Sequence, residues 1–215
     1  MGNYVFDADA LVAALHVDAE RLDTKHDMGG DIIPYFVNKG EAGVYDFTLN
    51  DIPGSTERDR TYWRDVGTID SFYDAHMDLI SPLPVFNLYN SQWPIVTAST
   101  SLPPAKFVFS DAANNRIGRA HESLISEGCI ISGGLVARSV LSPRVRVNSW
   151  AEIYDSILME NVEIGRHCEI RRAIIDKNVT IPPGTKIGVD LEEDRKRFPV
   201  TRSGIVVIPK GTRVA

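Results

Sequence analysis

A period of 17 residues in the second half of the chain limits its fold more than any other feature. Aliphatic residues recur at this spacing, and small residues recur beside them. The aliphatic columns are Val145, Val162 and Val179; Ile130, Val147, Ile164 and Ile181; Val136, Ile153, Ile170 and Ile187; and Leu141, Leu158 and Ile175, flanked by Val140, Ile157 and Ile174. The small-residue columns are Ser139, Ser156 and Ala173, and Gly134, Ala151, Cys168 and Thr185.

Within one repeat the inward aliphatic positions are Val147, Ile153 and Leu158, so they are separated by steps of six and five. This spacing predicts three short faces per turn, as in a parallel β-helix of the hexapeptide type. An amphipathic α-helix would place its apolar residues three and four apart instead. A β-sandwich would not keep the same residue types at a fixed offset.

The two cysteines are not expected to form a disulfide. Cys129 and Cys168 lie 39 residues apart, just over two turns of the repeat. Two turns rise about 10 Å at the usual spacing of strands, beyond the roughly 7 Å between Cα atoms that a disulfide spans. Cys168 is predicted to be a small residue lining the core.

The first 115 residues show α/β texture without the repeat. The predicted strands are Tyr4–Phe6 and Gly43–Phe47. The predicted helices are Ala8–Leu15, capped by Asp7; a second helix that ends or begins at 31–36; and a third that starts at Thr68 and stops at Ser81–Pro84. Residues 51–60 are predicted to be an exposed loop. These are fragments of βαβ units, too few for a complete doubly wound sheet. We expect a partial α/β domain at 1–115 and the β-helix at 116–215, with the chain beginning inside a larger domain.

Charge and hydropathy exclude some partners. Residues 1–115 have a net charge of −10 and residues 116–215 of +4, which gives the −6 of the whole chain. An acidic first half argues against nucleic acid as a partner, whereas a mildly basic second half suits small anions such as phosphate esters. No apolar run is long enough to span a membrane, and no secretory signal is visible, so we expect a cytoplasmic protein.

Several motifs identify a family. YWRDVGT at 62–68 is followed by NSQWPIVT, LPPAKFV, GCIISG, SVLSPRVRVNSWAEI and RRAIIDKN, the last at 171–178. In this order they resemble bacterial glucose-1-phosphate adenylyltransferase (ADP-glucose pyrophosphorylase) from residue 2 to residue 210. The resemblance implies an α/β nucleotidyltransferase domain joined to a left-handed β-helix. It also implies synthesis of ADP-glucose and pyrophosphate from ATP and glucose 1-phosphate with Mg²⁺, for glycogen, by a homotetramer.

By resemblance, Asp65 in YWRDVGT is one of two carboxylates that hold the Mg²⁺, and it is the candidate catalytic residue. A carboxylate suits a hard cation that bridges phosphate oxygens. Two structural alternatives need no metal: Asp65 caps the helix at Ile69, or it pairs with Arg64. The family's glycine-rich loop, second metal aspartate and sugar-phosphate lysine would all precede Met1, so we expect negligible activity from this chain alone.

The resemblance also implies allosteric control by an anionic sugar phosphate or glycolytic metabolite. Lys177 and Lys210 match family positions that contact such effectors, and Arg213 is a weaker match. The alternative for each is an ordinary solvated side chain. The run Arg195–Arg197 follows three acidic residues and is expected to be a self-paired connector.

Other functions remain open at this point. A hexapeptide-repeat acyltransferase would use a histidine between coils, for which His121 and His167 are candidates. A β-helix carbonic anhydrase needs three zinc-binding histidines, and the repeats contain only His167. A non-catalytic scaffold or regulatory module is the non-enzymatic alternative.

Overall fold

The computed structural model describes residues 2–97 and 101–214. The chain forms two compact units, Met1–Asn50 and Asp51–Ala215. The domain boundary predicted between 115 and 116 stays a prediction.

The first unit is helical. Its elements are α1 (Ala8–Ala19), a π-helical turn (Met28–Ile32), α2 (Ile33–Lys39) and a 3₁₀ turn (Phe47–Leu49). The predicted cap is confirmed, since Asp7 Oδ1 accepts a hydrogen bond from the Ala10 N–H at 3.0 Å. Ala14, Ile32 and Phe36 form the small core.

Both strands predicted in this unit are wrong. Tyr4–Phe6 and Gly43–Phe47 belong to no strand in the described residues. A strand needs a partner to receive its backbone hydrogen bonds, and neither segment has one here. Phe6 packs by its ring instead, with its centroid 5.5 Å from that of Phe36.

The second unit begins with the predicted exposed loop at 51–60, which is confirmed, and continues into α3 (Ile69–Leu79). Most of the rest is short strand. The strands are β1 (Lys106–Val108), β2 (Ser110–Asp111), β3 (Arg116–Ile117), β4 (Arg119–His121), β5 (Leu124–Ile125), β6 (Ile130–Ser132), β7 (Leu135–Ala137), β8 (Val140–Leu141), β9 (Arg146–Val147), β10 (Glu152–Tyr154), β11 (Ile157–Leu158), β12 (Glu163–Ile164), β13 (Glu169–Arg171), β14 (Ala173–Ile175), β15 (Thr180–Ile181), β16 (Lys186–Ile187) and β17 (Val206–Ile208).

The strands build three parallel sheets of five strands each, which confirms a parallel β-helix. The first sheet has the order β1-β6-β9-β12-β15, the second β16-β13-β10-β7-β4, and the third β17-β14-β11-β8-β5. β2 and β3 form a separate antiparallel pair. The handedness of the coil stays a prediction.

The 17-residue columns are confirmed as stacked neighbours, with one correction. Ile164 pairs with Val147 below and Ile181 above, and all three side chains are fully buried. The prediction that Ile130 joins this column is wrong, because Ile131 pairs with Val147 and is buried in its place. The turn between them is one residue shorter, and a one-residue shift moves a side chain to the opposite face of a strand.

Each corner of the coil contains a residue in the left-handed backbone conformation. Three such columns follow the 17-residue period: Arg144, Asn161 and Asn178; Trp150, His167 and Gly184; and Arg138, Asp155 and Arg172. Asparagine and glycine adopt this conformation at low cost, whereas an arginine there is strained by its Cβ. The corners therefore fix where each face of the coil ends.

The cysteines behave as predicted. Cys129 and Cys168 are free, buried and placed in the coil core. Cys168 Sγ lies 3.0 Å from the Pro182 carbonyl oxygen. Burial raises the pKa of both thiols.

The last turn is longer than the others. Ile175 pairs with Ile208, an offset of 33 residues in place of 17. The extra residues include helix α4 (Leu191–Arg197), whose charges pair within the helix, as predicted for the Arg195–Arg197 run. The chain leaves the coil after β16, forms α4 and returns as β17, so the third sheet continues without interruption.

Candidate functional site

The loop that contains Asp65 leads directly into α3. Asp65 is exposed, and its Oδ1 accepts a hydrogen bond from the Gly67 N–H at 2.9 Å. This contact holds the carboxylate in a tight turn and leaves Oδ2 with no hydrogen bond among the described residues. One carboxylate oxygen therefore faces solvent and can serve as a ligand.

Neither structural alternative for Asp65 is observed. Thr68 caps α3, since its hydroxyl oxygen accepts from the Ser71 N–H at 3.1 Å and the Ser71 side chain accepts from the Thr68 N–H at 3.2 Å. Arg64 donates to the Asp74 carbonyl oxygen at 3.3 Å rather than to Asp65. Across residues 2–97 and 101–214, Asp65 forms no ion pair.

A Mg²⁺ ion at Asp65 would find fewer than three protein ligands among the described residues. No group of three or more potential metal ligands occurs in the part of the chain that the structure describes. Mg²⁺ takes six oxygen ligands, keeps several waters among them and is usually bound through one or two carboxylates together with substrate phosphates. Asp65 therefore fits as one carboxylate ligand of such an ion.

Helix α3 fixes this loop to the third sheet of the coil. The outward residues Ile157 and Ile174 are buried under Tyr73, together with Ile205. The Tyr73 hydroxyl donates to the Asp155 carbonyl oxygen at 2.7 Å. Desolvation by burial raises the pKa of Tyr73.

A second contact holds the first turn of α3. The Thr201 hydroxyl donates to Asp70 Oδ1 at 3.0 Å, and the Ser203 hydroxyl donates to the same oxygen. Thr201 and Ser203 lie in the segment that leads into β17. The turn that contains Asp65 is thus placed by residues of the last coil turn.

An apolar cleft of about 370 Å³ lies beside these contacts. One wall is the start of α3 and the residues before it, and the other is the third sheet. Its lining residues are Val66, Gly67, Thr68, Ile69, Phe72, Met159, Ile174, Asp176, Val207 and Pro209. The cleft joins the neighbourhood of Asp65 to the end of the coil where the predicted effector lysines lie.

The structure brings Lys177 and Lys210 together. The pairing of Ile175 with Ile208 places each lysine two residues beyond a paired position, on adjacent turns. Both side chains are exposed, and neither has an ion-pair partner among the described residues. Two exposed lysines on adjacent turns can contribute to one anion site.

Arg213 is exposed three residues after Lys210. No contact in the described residues joins it to either lysine, so its role stays a prediction. His121 and His167 are also exposed, and the His167 ring stacks on Trp150 with centroids 4.8 Å apart. That stack occupies one face of His167.

Sequence reasoning missed Asp176, which lies between the two lysines. Its Oδ1 accepts from the Lys177 N–H at 2.6 Å and its Oδ2 accepts from the Lys210 N–H at 3.0 Å. The 33-residue turn concealed this contact, since the 17-residue period does not align residue 177 with residue 210.

Comparison with known proteins agrees with both parts of this structure. The family described as "Nucleotidyl transferase" matches residues 1–81, and the family described as "GlmU-like, C-terminal hexapeptide" matches residues 103–208. No helix of the described residues is both long and apolar enough to cross a membrane.

Similar proteins carry the name glucose-1-phosphate adenylyltransferase. The protein of Arthrobacter sp. FB24 is 69% identical over 100% of this chain and 46% of its own length. That of Pseudarthrobacter chlorophenolicus is 71% identical over 98% of the chain and 44% of its own length, and that of Bifidobacterium adolescentis is 57% identical over 100% and 51%. The chain spans about half the length of the relatives it matches, and the resemblance read from its motifs is confirmed.

We predict that Tyr73→Phe lowers the free energy of unfolding by about 1 kcal/mol at pH 8, because the Asp155 carbonyl loses its donor. The folded-state pKa of Tyr73 is raised, so its contribution is complete below the unfolded value of about 10 and is lost as the pH rises through the folded value. Urea unfolding at pH 8 and at alkaline pH should show the difference between the two proteins shrinking.

Tyr89→Phe is the control, since Tyr89 is 79% exposed in the same unit. It should change the free energy of unfolding at pH 8 by less than about 0.5 kcal/mol. An equal loss in both variants would contradict the docking role of Tyr73.

Proposed function

We propose that this chain, which belongs to the glucose-1-phosphate adenylyltransferase family, supplies the metal-binding Asp65, the effector lysines and the assembly coil of such an enzyme. The observation that carries the proposal is the turn at Asp65, which presents a free carboxylate oxygen and is fixed by α3 to the coil. Similarity over the whole chain to proteins of that name supports it.

In the proposed reaction a phosphate oxygen of glucose 1-phosphate attacks the α-phosphorus of ATP. The bond from that phosphorus to the bridging oxygen breaks, and pyrophosphate leaves with the electron pair. A bound Mg²⁺ would neutralise charge on the phosphate oxygens. Asp65 would hold the ion through Oδ2, while its Oδ1 stays on the Gly67 N–H and keeps the carboxylate oriented.

The described residues alone provide little else for this chemistry. Phosphates need backbone N–H groups and cationic side chains to cradle them, and the Asp65 turn presents neither as a cluster. We therefore assign productive binding of ATP and glucose 1-phosphate to the intact enzyme and expect negligible turnover from this chain by itself.

The coil would carry regulation and assembly. Lys177 and Lys210, exposed on adjacent turns, would bind an anionic sugar phosphate or glycolytic metabolite. The flat faces of the first and second sheets are available for subunit contacts in a homotetramer. The cytoplasm is the expected location.

Asp65→Asn in the intact enzyme should lower turnover by about 100-fold or more, because a neutral amide is a poor ligand for Mg²⁺. Steady-state synthesis of ADP-glucose measures this, with thermal unfolding to show that the fold is kept.

The matched control is Asp74→Asn, which removes an exposed carboxylate from α3, nine residues on. It should retain turnover within about twofold. Near-normal turnover in Asp65→Asn would remove the metal assignment and favour a non-catalytic role for this half.

Lys177→Ala should raise the concentration of a sugar-phosphate activator needed for half-maximal activation by about tenfold and leave unactivated turnover largely unchanged. The reason is the loss of one of two neighbouring cations. Activation curves with a panel of sugar phosphates and glycolytic anions provide the measurement.

Lys186→Ala serves as the comparison, since Lys186 is an exposed lysine on β16, in a different sheet. Its activation curve should match that of the unmodified enzyme. An unchanged response in Lys177→Ala would count against the effector role.

A further inference from the structure

We propose that Asp176 is a positioning residue for the anion site formed by Lys177 and Lys210. The inference rests on the proposed function, since the effector role of the lysines is itself a proposal. Asp176 would not contact the anion itself; it would hold the backbones of the two lysines in place.

The geometry is a carboxylate bridge across two turns of the coil. Asp176 Oδ1 accepts from the Lys177 N–H at 2.6 Å, and Oδ2 accepts from the Lys210 N–H at 3.0 Å. The Asp176 N–H donates to the Ile208 carbonyl oxygen at 3.0 Å. One half-buried residue thus makes three backbone contacts at the corner where β14 and β17 end.

Lys210 depends on this bridge for its place. β17 is the last strand of the third sheet, and its outer edge pairs antiparallel with residues 199–201, where the Val207 N–H donates to the Pro199 carbonyl oxygen at 2.9 Å. After Ile208 the chain leaves the sheet, and among the described residues the Lys210 N–H donates to Asp176 Oδ2 and to no backbone carbonyl. The Asp176 carboxylate continues the register for two more residues and keeps Lys210 beside Lys177.

The charge of Asp176 makes the direction of the change in anion affinity informative. A negative carboxylate near two lysines weakens their attraction for an anion, so Coulomb's law alone predicts that removing its charge tightens anion binding. The positioning role predicts the opposite, since the cations would separate once the bridge is lost. The two effects can be told apart by the direction of the change in affinity.

The test is a titration of the full 215-residue chain with inorganic phosphate at constant ionic strength, followed by the ¹H–¹⁵N shifts of the Lys177, Asn178 and Lys210 amides. Asp176→Asn should weaken phosphate binding by at least about fivefold. The asparagine side chain has one acceptor oxygen, and its NH₂ group would face the second backbone N–H. The Lys210 amide should also exchange with solvent faster.

Glu160→Gln is the control, since it neutralises a carboxylate one turn earlier in the corner column of Lys177, where it pairs with Arg144 at 2.8 Å. Its affinity for phosphate should equal or exceed that of the unmodified chain. Asp176→Glu keeps the charge with a longer side chain, and it should bind phosphate more weakly than the unmodified chain. If Asp176→Asn does not fold, the phosphate affinity of Asp176→Glu tests the positioning role in its place.

Different results would reject the anion site at the lysines and the positioning role of Asp176. The anion site, and with it the positioning role, would be rejected if phosphate caused no saturable change in the amide shifts of the lysines. It would also be rejected if Lys177→Ala and Lys210→Ala bound phosphate as tightly as the unmodified chain does. Weaker binding in the lysine variants, with unchanged or tighter binding in both Asp176 variants, would reject the positioning role alone.

Discussion

The stacking of inward aliphatic side chains at one register is the constraint on which the rest of the structure depends. Val147, Ile164 and Ile181 lie on adjacent strands and are fully buried, and the other faces repeat the arrangement. Burial of this kind contributes about 25 cal/mol per Å² of apolar surface. Because side chains alternate between the two faces of a strand, the same register decides which residues face outward.

The outward faces differ, and that difference positions the site. The third sheet turns Ile157 and Ile174 outward, and α3 covers them through Tyr73. The turn that contains Asp65 leads directly into this docked helix. The same sheet places Lys177 beside Lys210 and Asp176 between them. The apolar cleft is lined by Val66, next to the proposed metal ligand Asp65, and by Asp176, next to the proposed effector residue Lys177. In the proposed enzyme this proximity would give regulation a short path to the reaction.

The coil could be predicted from sequence because its signal is periodic and local. The columns, the free cysteines and the cap at Asp7 needed only spacing and residue type. The structure differs from the predicted columns where the length of a coil turn changes. A turn that is one residue shorter places Ile131 where Ile130 was expected. A last turn of 33 residues hid the contact of Lys210 with Asp176. In the first unit, short apolar runs predicted strands for which the described part of the chain offers no partner strand. The role of Asp65 came from resemblance, and its spacing alone did not separate a ligand from a helix cap.

A double-mutant cycle on the central column tests the stacked register most directly. Urea unfolding of Ile164→Ala, Ile181→Ala and the double variant would give the coupling between side chains that lie 17 positions apart. We predict a coupling energy of about 0.5–3 kcal/mol for this pair, as for residues in contact. For Ile131 with Ile187, which lie in different sheets about three turns apart, we predict a coupling energy of about zero. Additive losses for Ile164 and Ile181 would contradict the stacked register and with it the placement of the site.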